Sequence, residues 1–226
     1  MTSASLRRDE LPAAERLRIT EIFYSIQGEA EAVGWPTVFV RLTGCPLRCQ
    51  YCDTAYAFHG GKWWSFEAIL QAVADYRAGY VCVTGGEPLA QPNCLGLLVR
   101  LCDAGYKVSI ETSGSLPIVD IDARVARVVD IKTPGSGESE RNLYDNLAGL
   151  RASDQVKFVI CDRADYDWSK QKLGEYRLST RCQVLFSPSY TQLQARELAE
   201  WILADQLPVR LQVQLHKYLW GDVPGR

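Results

Sequence analysis

The sequence lacks a strong charge of either sign. Its 25 Lys and Arg face 27 Asp and Glu, a formal charge of −2 over 226 residues. That balance excludes a global positive field for a phosphate backbone. The basic residues are scattered, with no run interleaved with aromatics, so no direct contact with nucleic acid is expected. No apolar run approaches the ~20 residues of a membrane helix, so no membrane partner is expected. No repeat, low-complexity tract or signal-peptide pattern is visible, and acidic residues near the start argue against a transit peptide. Cysteine, in contrast, is plentiful, at eight residues. Five of them, Cys82, Cys94, Cys102, Cys161 and Cys182, stand singly in apolar segments, where a free thiol packs as a small hydrophobe. With 47% of residues apolar, the chain can bury a core without disulfide staples. One domain in a reducing cytoplasm is the expectation.

The other three cysteines share one loop, Cys45-Pro46-Leu47-Arg48-Cys49-Gln50-Tyr51-Cys52, with spacing C-x3-C-x2-C. Three thiolates this close can hold three corners of an iron–sulfur cube and leave the fourth iron open. Clusters held by four cysteines are fully ligated electron carriers. The competing reading is structural zinc or unrelated thiols. Zinc wants four ligands, usually as two Cys/His pairs. Cys49 and Cys52 have no second pair at a finger-like spacing, and His59 alone is a weak fourth ligand.

Strand-like and helix-like stretches alternate from residue 18 onward, after a loose tail or short helix over 1–17. Strands are expected over 19–27, 37–43, 80–84, 107–111, 127–131, 155–160, 183–186 and 209–213. Helices are expected over 65–77 with Ser65 as N-cap, over 95–104 closed by Gly105, and near 141–150, 166–176 and 192–203. Alternation of this kind implies a parallel sheet with right-handed crossovers. The chain is short for eight full β/α units, so the α/β class is expected as a partial (shortened) β/α barrel, with an open doubly wound sheet as the alternative. The cysteine loop, Thr84-Gly85-Gly86-Glu87-Pro88, Glu111-Thr112-Ser113-Gly114 and Asp130-Ile131-Lys132-Thr133 each end a strand. That edge carries the active site in such folds.

Cys45-x3-Cys49-x2-Cys52, with Tyr51 before the last cysteine and Gly85-Gly86-Glu87 one strand and helix later, resembles the radical S-adenosylmethionine (SAM) superfamily. Three further segments are similar to the 7-carboxy-7-deazaguanine synthase family: Ile22-Phe23-Tyr24-Ser25-Ile26-Gln27-Gly28-Glu29, Cys52-Asp53-Thr54 and Leu215-His216-Lys217-Tyr218-Leu219. The resemblance implies a radical SAM barrel and a ring contraction of 6-carboxy-5,6,7,8-tetrahydropterin to 7-carboxy-7-deazaguanine. Ammonia is lost, SAM is regenerated, and the product enters the queuosine pathway. It implies a [4Fe-4S] cluster on Cys45, Cys49 and Cys52. It places SAM by Tyr51, Cys52, Asp53, Gly86, Ser113 and Lys132, and Mg²⁺ on Thr54. The pterin falls to Ile26, Gln27, Gly28, Arg41 and Thr84. A homodimer and an electron donor such as flavodoxin or ferredoxin are also implied. The family's Ser-Pro-Lys stands here as Asp130-Ile131-Lys132, which departs from that pattern.

The residues carry part of this unaided. Arg41 lies in an apolar strand and shares a face with Phe39 and Thr43. Burying it is costly unless it is paired, so it either turns inward to meet a carboxylate or lies on an exposed face; the inward reading is favoured. Gln27 can donate and accept, and Gly28 lets backbone approach a ligand. A Thr hydroxyl is a hard oxygen donor suited to Mg²⁺. Against each stands a plainer role: a strand-ending Gly, a loop Thr, a surface Lys at residue 132. His216 reads as a hydrogen-bonded structural residue at a strand end. Trp63, Trp64, Trp168 and Trp201 read as packing or dimer contacts, and the C-terminal tail as a cover for the pocket. Two further functions compete: an activase of a glycyl-radical protein, which would consume SAM, and a non-enzymatic metal or iron–sulfur module.

Overall fold

Among the residues described by the computed structural model, 15–225, nine strands form one sheet. They are β1 (Arg16–Ile26), β2 (Pro36–Leu42), β3 (Lys62–Ser65), β4 (Tyr80–Gly85), β5 (Lys107–Thr112), β6 (Ala126–Ile131), β7 (Gln155–Ile160), β8 (Gln183–Pro188) and β9 (Arg210–Leu211). Helices α1 (Phe66–Ala74), α2 (Cys94–Asp103), α3 (Arg163–Glu175) and α4 (Ala195–Ala204) connect strands, and α5 (Leu215–Trp220) follows β9. The spatial order is β3-β1-β2-β4-β5-β6-β7-β8-β9. Pairing is parallel from β2 through β9, whereas β1 runs antiparallel to both β2 and β3. Because β3 and β9 have one neighbour each, the sheet does not close on itself.

Period-two alternation assigns the two faces. Val38, Val40 and Leu42 of β2, Val81 and Val83 of β4, Val129 and Ile131 of β6, and Phe158 and Ile160 of β7 are buried in one core. Phe66, Ile69 and Val73 of α1, Leu97, Leu98 and Leu101 of α2, and Leu198 of α4 join the same core. Each such side chain stabilises by about 1.5–3 kcal/mol on burial. The other face carries Phe39, Arg41, Thr84, Glu111, Asp130 and Lys157, which line a cavity. Helices thus cover one face only, as in a partial barrel and unlike a doubly wound sheet.

Local signals explain the helix ends. Ser65 accepts from the Ala68 amide at 3.2 Å, and Gly105 after α2 takes φ +88°. Four expectations are corrected. The first strand begins at Arg16, with Leu17 fully buried, so the end of the expected tail belongs to the sheet; residues 1–14 of that tail lie outside the described residues. Residues 139–149 form short 3₁₀ turns, Ser139–Arg141 and Tyr144–Gly149; Asn142 bonds both backbone groups of Lys132, and Asn146 bonds the backbone of Gly114, Leu116 and Ile118, so the segment is tied to the ends of β5 and β6 and does not run as a helix. The strand over 209–213 shrinks to Arg210–Leu211. His216 sits in α5, not on a strand. Strand β3, which pairs with the first half of β1, had no counterpart in the sequence reading. Trp64, Trp168 and Trp201 pack against the core.

Candidate active site

A cavity of about 470 Å³ lies on the inner face of the sheet and opens at the C-terminal ends of the parallel strands, a size suited to a small-molecule site. Cys45, Cys49 and Cys52 are free thiols, partly exposed, on its rim. Backbone bonds fix their loop: Gly44 N–H donates to Ala57 O (2.8 Å), Gln50 N–H to Ser136 O (3.0 Å), and Glu87 N–H to Gly44 O (2.8 Å). Arg48 donates to the Cys45 carbonyl at 2.7 Å. Burial pushes the Cys45 thiol up and the Cys49 thiol to about 11. Iron binding would displace those protons.

The glycines of the β4 turn are set by contact. A Cβ on Gly86 would lie 2.3 Å from Gly44 O and 2.7 Å from Cys45 Cβ. Gly86 therefore lets the turn pass directly against the cysteine loop. Fully buried Glu87 fastens this turn to the end of β5. Its carboxylate accepts from Thr112 Oγ1 (2.8 Å), Ser113 N–H (2.7 Å), Ser113 Oγ and Leu89 N–H (3.0 Å). The four strand-end motifs expected to converge do so: Cys45, Gly86, Ser113 and Lys132 all line the one cavity.

Deeper in the lumen the strand register builds a polar ring. Arg41 lies beside Thr84, and Asp130 beside Lys157. Arg41 points inward, as expected, and its Nε donates to Glu21 at 2.7 Å; its guanidinium lies 5.6 Å from the Phe23 ring centroid. Thr84 Oγ1 donates to Glu111 at 2.9 Å, and Gln27 Nε2 reaches the same carboxylate at 3.4 Å. Lys157 Nζ pairs with Glu29 at 2.7 Å and Asp130 at 3.4 Å. Burial opposes the Glu29 charge, but Lys157 outweighs it and holds the carboxyl below its ordinary value. Burial likewise opposes the Lys132 ammonium, which Asp130 (3.2 Å) more than offsets, so its pKa is held above the ordinary lysine value. Asp130 Oδ1 and the Tyr51 hydroxyl are buried in the cavity wall with no hydrogen-bond partner among the described residues. Unpartnered polar atoms beside a polar cavity and three free thiols fit a site that takes both a cluster and a polar ligand.

The C-terminal segment closes one side. Glu29 accepts from Gln214 (2.8 Å) and Gln212 (3.3 Å), and Leu215 N–H donates to Gly28 O (3.1 Å). Lys217 Nζ lies 2.9 Å from Asp53, which also accepts from Thr54 Oγ1 at 2.7 Å. Burial opposes the Asp53 charge; Lys217 overcomes it and depresses the carboxyl pKa. Gln214, His216, Lys217 and Asp222 line the cavity.

Of the sequence-derived residues, Ile26, Gln27, Arg41, Tyr51, Asp53, Thr54 and Thr84 line this cavity too. Gly28 does not, and its bareness has a different reason from the one expected. A Cβ there would lie 2.1 Å from His216 Nδ1, so Gly28 makes room for that ring. Sequence reasoning did not single out Lys157 or Gln214, and it quoted Glu29 and Glu111 within motifs without giving either a role. Lys157 carried the same signal as Arg41, a charge alternating inward within an apolar strand.

The radical SAM superfamily profile matches residues 39–131, the span from β2 through the cysteine loop to β6. The solved structure of QueE from Escherichia coli superposes with a TM-score of 0.73 at 24% identity, covering 89% of this chain and 95% of that one, and supports the fold. Partial barrel, three-cysteine loop and glycine turn together define a radical SAM protein. A 7-carboxy-7-deazaguanine synthase of Chlorobaculum tepidum is 46% identical over 91% of this chain and 94% of its own length. One from Koribacter versatilis is 41% identical over 90% and 97%. The chain belongs to the 7-carboxy-7-deazaguanine synthase family.

Proposed function

We propose that the protein converts 6-carboxy-5,6,7,8-tetrahydropterin to 7-carboxy-7-deazaguanine and ammonia, with SAM used catalytically, as a carbon–nitrogen lyase of the queuosine pathway. One observation carries the reading. Three free thiols rim a cavity whose deeper wall carries Arg41, Thr84 and Glu111 at one level of the strand register, with Gln27 reaching Glu111 from below. Cys45, Cys49 and Cys52 would hold a [4Fe-4S] cluster. Bound there, the cluster with SAM would supply the radical chemistry of hydrogen-atom abstraction from carbon.

The chain's own residues bind, orient and exclude water. Gly86, Ser113, Lys132, Tyr51 and Asp53 would surround the cofactor, with Tyr51 Oη and Asp130 Oδ1 as the unpartnered atoms a ligand would satisfy. Arg41 takes the substrate carboxylate, for which its fork geometry is suited. Glu111, Thr84 and Gln27 form a connected donor–acceptor set for the edge of a pterin ring. Ile26 flanks it. Lys157, paired to Glu29, keeps the lumen's charges balanced without a bound ligand. Thr54 offers Mg²⁺ a hard oxygen beside Asp53, which would exchange part of its pairing with Lys217 for the ion. Helix α5, latched to Glu29 and Asp53, covers the mouth and limits water near a reactive carbon.

An electron donor such as flavodoxin or ferredoxin, a homodimer and a cytoplasmic setting complete the reading. No helix among the described residues is long and apolar enough to cross a membrane. The test is anaerobic incubation of the reconstituted protein with reductant, SAM and carboxytetrahydropterin. The expected result is a deazapurine detected by mass. A reduced, iron-loaded protein that yields none would refute the reading.

A further inference from the structure

A second cavity, of about 310 Å³, lies beneath the first at the N-terminal ends of the parallel strands. Gln27 and Val128 line both. The interior of a β/α barrel is ordinarily filled by layers of side chains. Here that layer is built from small residues, Ser109 and Ala126, facing Ala30 and Ala32 of the β1–β2 turn, and a chamber remains. Its outer end meets solvent at Glu31, Lys107 and Trp35, all exposed, with Trp35 stacked on Tyr80 at 5.2 Å. Its inner wall holds Gln155, only 3% exposed, whose Oε1 has no hydrogen-bond partner among the described residues.

We propose that this lower chamber is the exit for the ammonia released in the upper cavity, an inference that rests on the function proposed above. The product is the substrate less one NH₃, so one small neutral molecule must leave the lumen at each turnover without any added oxidant or reductant. Ligands entering beneath α5 at the cluster edge would fill the upper mouth. The remaining way out leads down past Gln27. That side chain is held by two modest contacts, Nε2 to Glu111 at 3.4 Å and Oε1 from the Glu29 amide at 3.1 Å. Beyond it stands an unsatisfied carbonyl acceptor. An N–H of ammonia satisfies Gln155 Oε1, and leaving that atom unpaired is costly otherwise.

The test separates ammonia release from chemistry. Ala126→Ile narrows the chamber; Gln155→Leu keeps its bulk and removes the acceptor. Rapid quench follows deazapurine, while an ammonia-consuming coupled assay in unquenched solution follows free ammonia in parallel. The expected result is deazapurine formed in the first turnover at the wild-type rate, ammonia appearing in solution after a lag, and a several-fold lower steady-state kcat. Added ammonium chloride at alkaline pH should inhibit the wild type more than Gln155→Leu. Should Ala126→Ile fail to fold, the near-isosteric Gln155→Leu decides alone. Ammonia released in step with deazapurine in a folded variant, at wild-type rate, overturns the exit path and leaves the proposed function standing. A wild type that forms no deazapurine overturns both.

Discussion

Gly28→Ala tests how the C-terminal helix is seated. The new methyl would lie 2.1 Å from His216 Nδ1, 2.9 Å from His216 Cγ and 3.0 Å from the His216 amide nitrogen. Rotating the ring relieves the first two contacts but not the third, which belongs to backbone. Helix α5 must therefore withdraw. Its withdrawal strains Leu215 N–H to Gly28 O (3.1 Å), Gln214 to Glu29 (2.8 Å) and Lys217 to Asp53 (2.9 Å). Overpacking of this kind costs about 1–3 kcal/mol. The main core lies between sheet and helices α1 to α4, so the loss should be local. At tenfold per 1.4 kcal/mol, amide exchange over 212–220 should quicken by roughly 5- to 150-fold, with the sheet amides unchanged and pterin KM raised. His216→Ala removes the two ring contacts and leaves the 3.0 Å contact to backbone, so Gly28→Ala on that background should cost less but still something, a coupling of about 0.5–3 kcal/mol in a double-mutant cycle. Unchanged exchange in Gly28→Ala, or additive costs in the double variant, would refute the steric account.

Four shorter predictions follow from the same geometry. Gly86→Ala drives a methyl into Gly44 O and Cys45 Cβ, both fixed, so iron content after reconstitution should fall while circular dichroism stays native. Any one of Cys45→Ala, Cys49→Ala or Cys52→Ala should abolish reductive SAM cleavage, measured as deoxyadenosine. Arg41→Ala removes a charge-assisted partner of the substrate carboxylate worth about 1.5–3 kcal/mol; pterin Kd should weaken roughly 10- to 100-fold with SAM binding retained, and unchanged pterin affinity would show that Arg41 does not take that carboxylate. Glu29→Gln keeps an acceptor for buried Lys157 but leaves Asp130, at 3.4 Å, as its paired carboxylate, for a loss of about 2–3 kcal/mol, below the ~3–5 of a fully broken buried pair. The folded Glu29 carboxyl is held below its ordinary 4.5, so its contribution is complete above that pH and is lost as pH falls through the folded value. The stability gap between wild type and Glu29→Gln should thus be constant at neutral pH and narrow in acid, as read from urea unfolding at several pH values.

Much of the fold was legible because strands such as 155–160 and 37–43 are β-branched and bounded by polar strand-end motifs. The cluster loop was legible because three cysteines at fixed spacing admit few readings. What escaped was non-local. Strand β3 carries Trp63 and Trp64 in a stretch of four residues, and only pairing with Arg16–Ile19 across a long loop makes it a strand. The antiparallel direction of β1 places Gln27 at the bottom of the lumen, where it reaches Glu111 of β5, a contact no spacing predicts. Gly28 reads as a ligand-facing glycine until His216, far along the chain, is found filling its vacant side. Lys157 carried an inward signal like that of Arg41, but its partner Glu29, in the turn after β1, comes from far along the chain, a pairing no spacing predicts.

The most direct measurement follows substrate, product and SAM together by mass under reducing, anaerobic conditions with wild-type protein. The account predicts a product lighter than the pterin by one ammonia, formed over many turnovers while SAM is not consumed in step. SAM spent one for one with no deazapurine, or no reaction by iron-loaded protein, would contradict it.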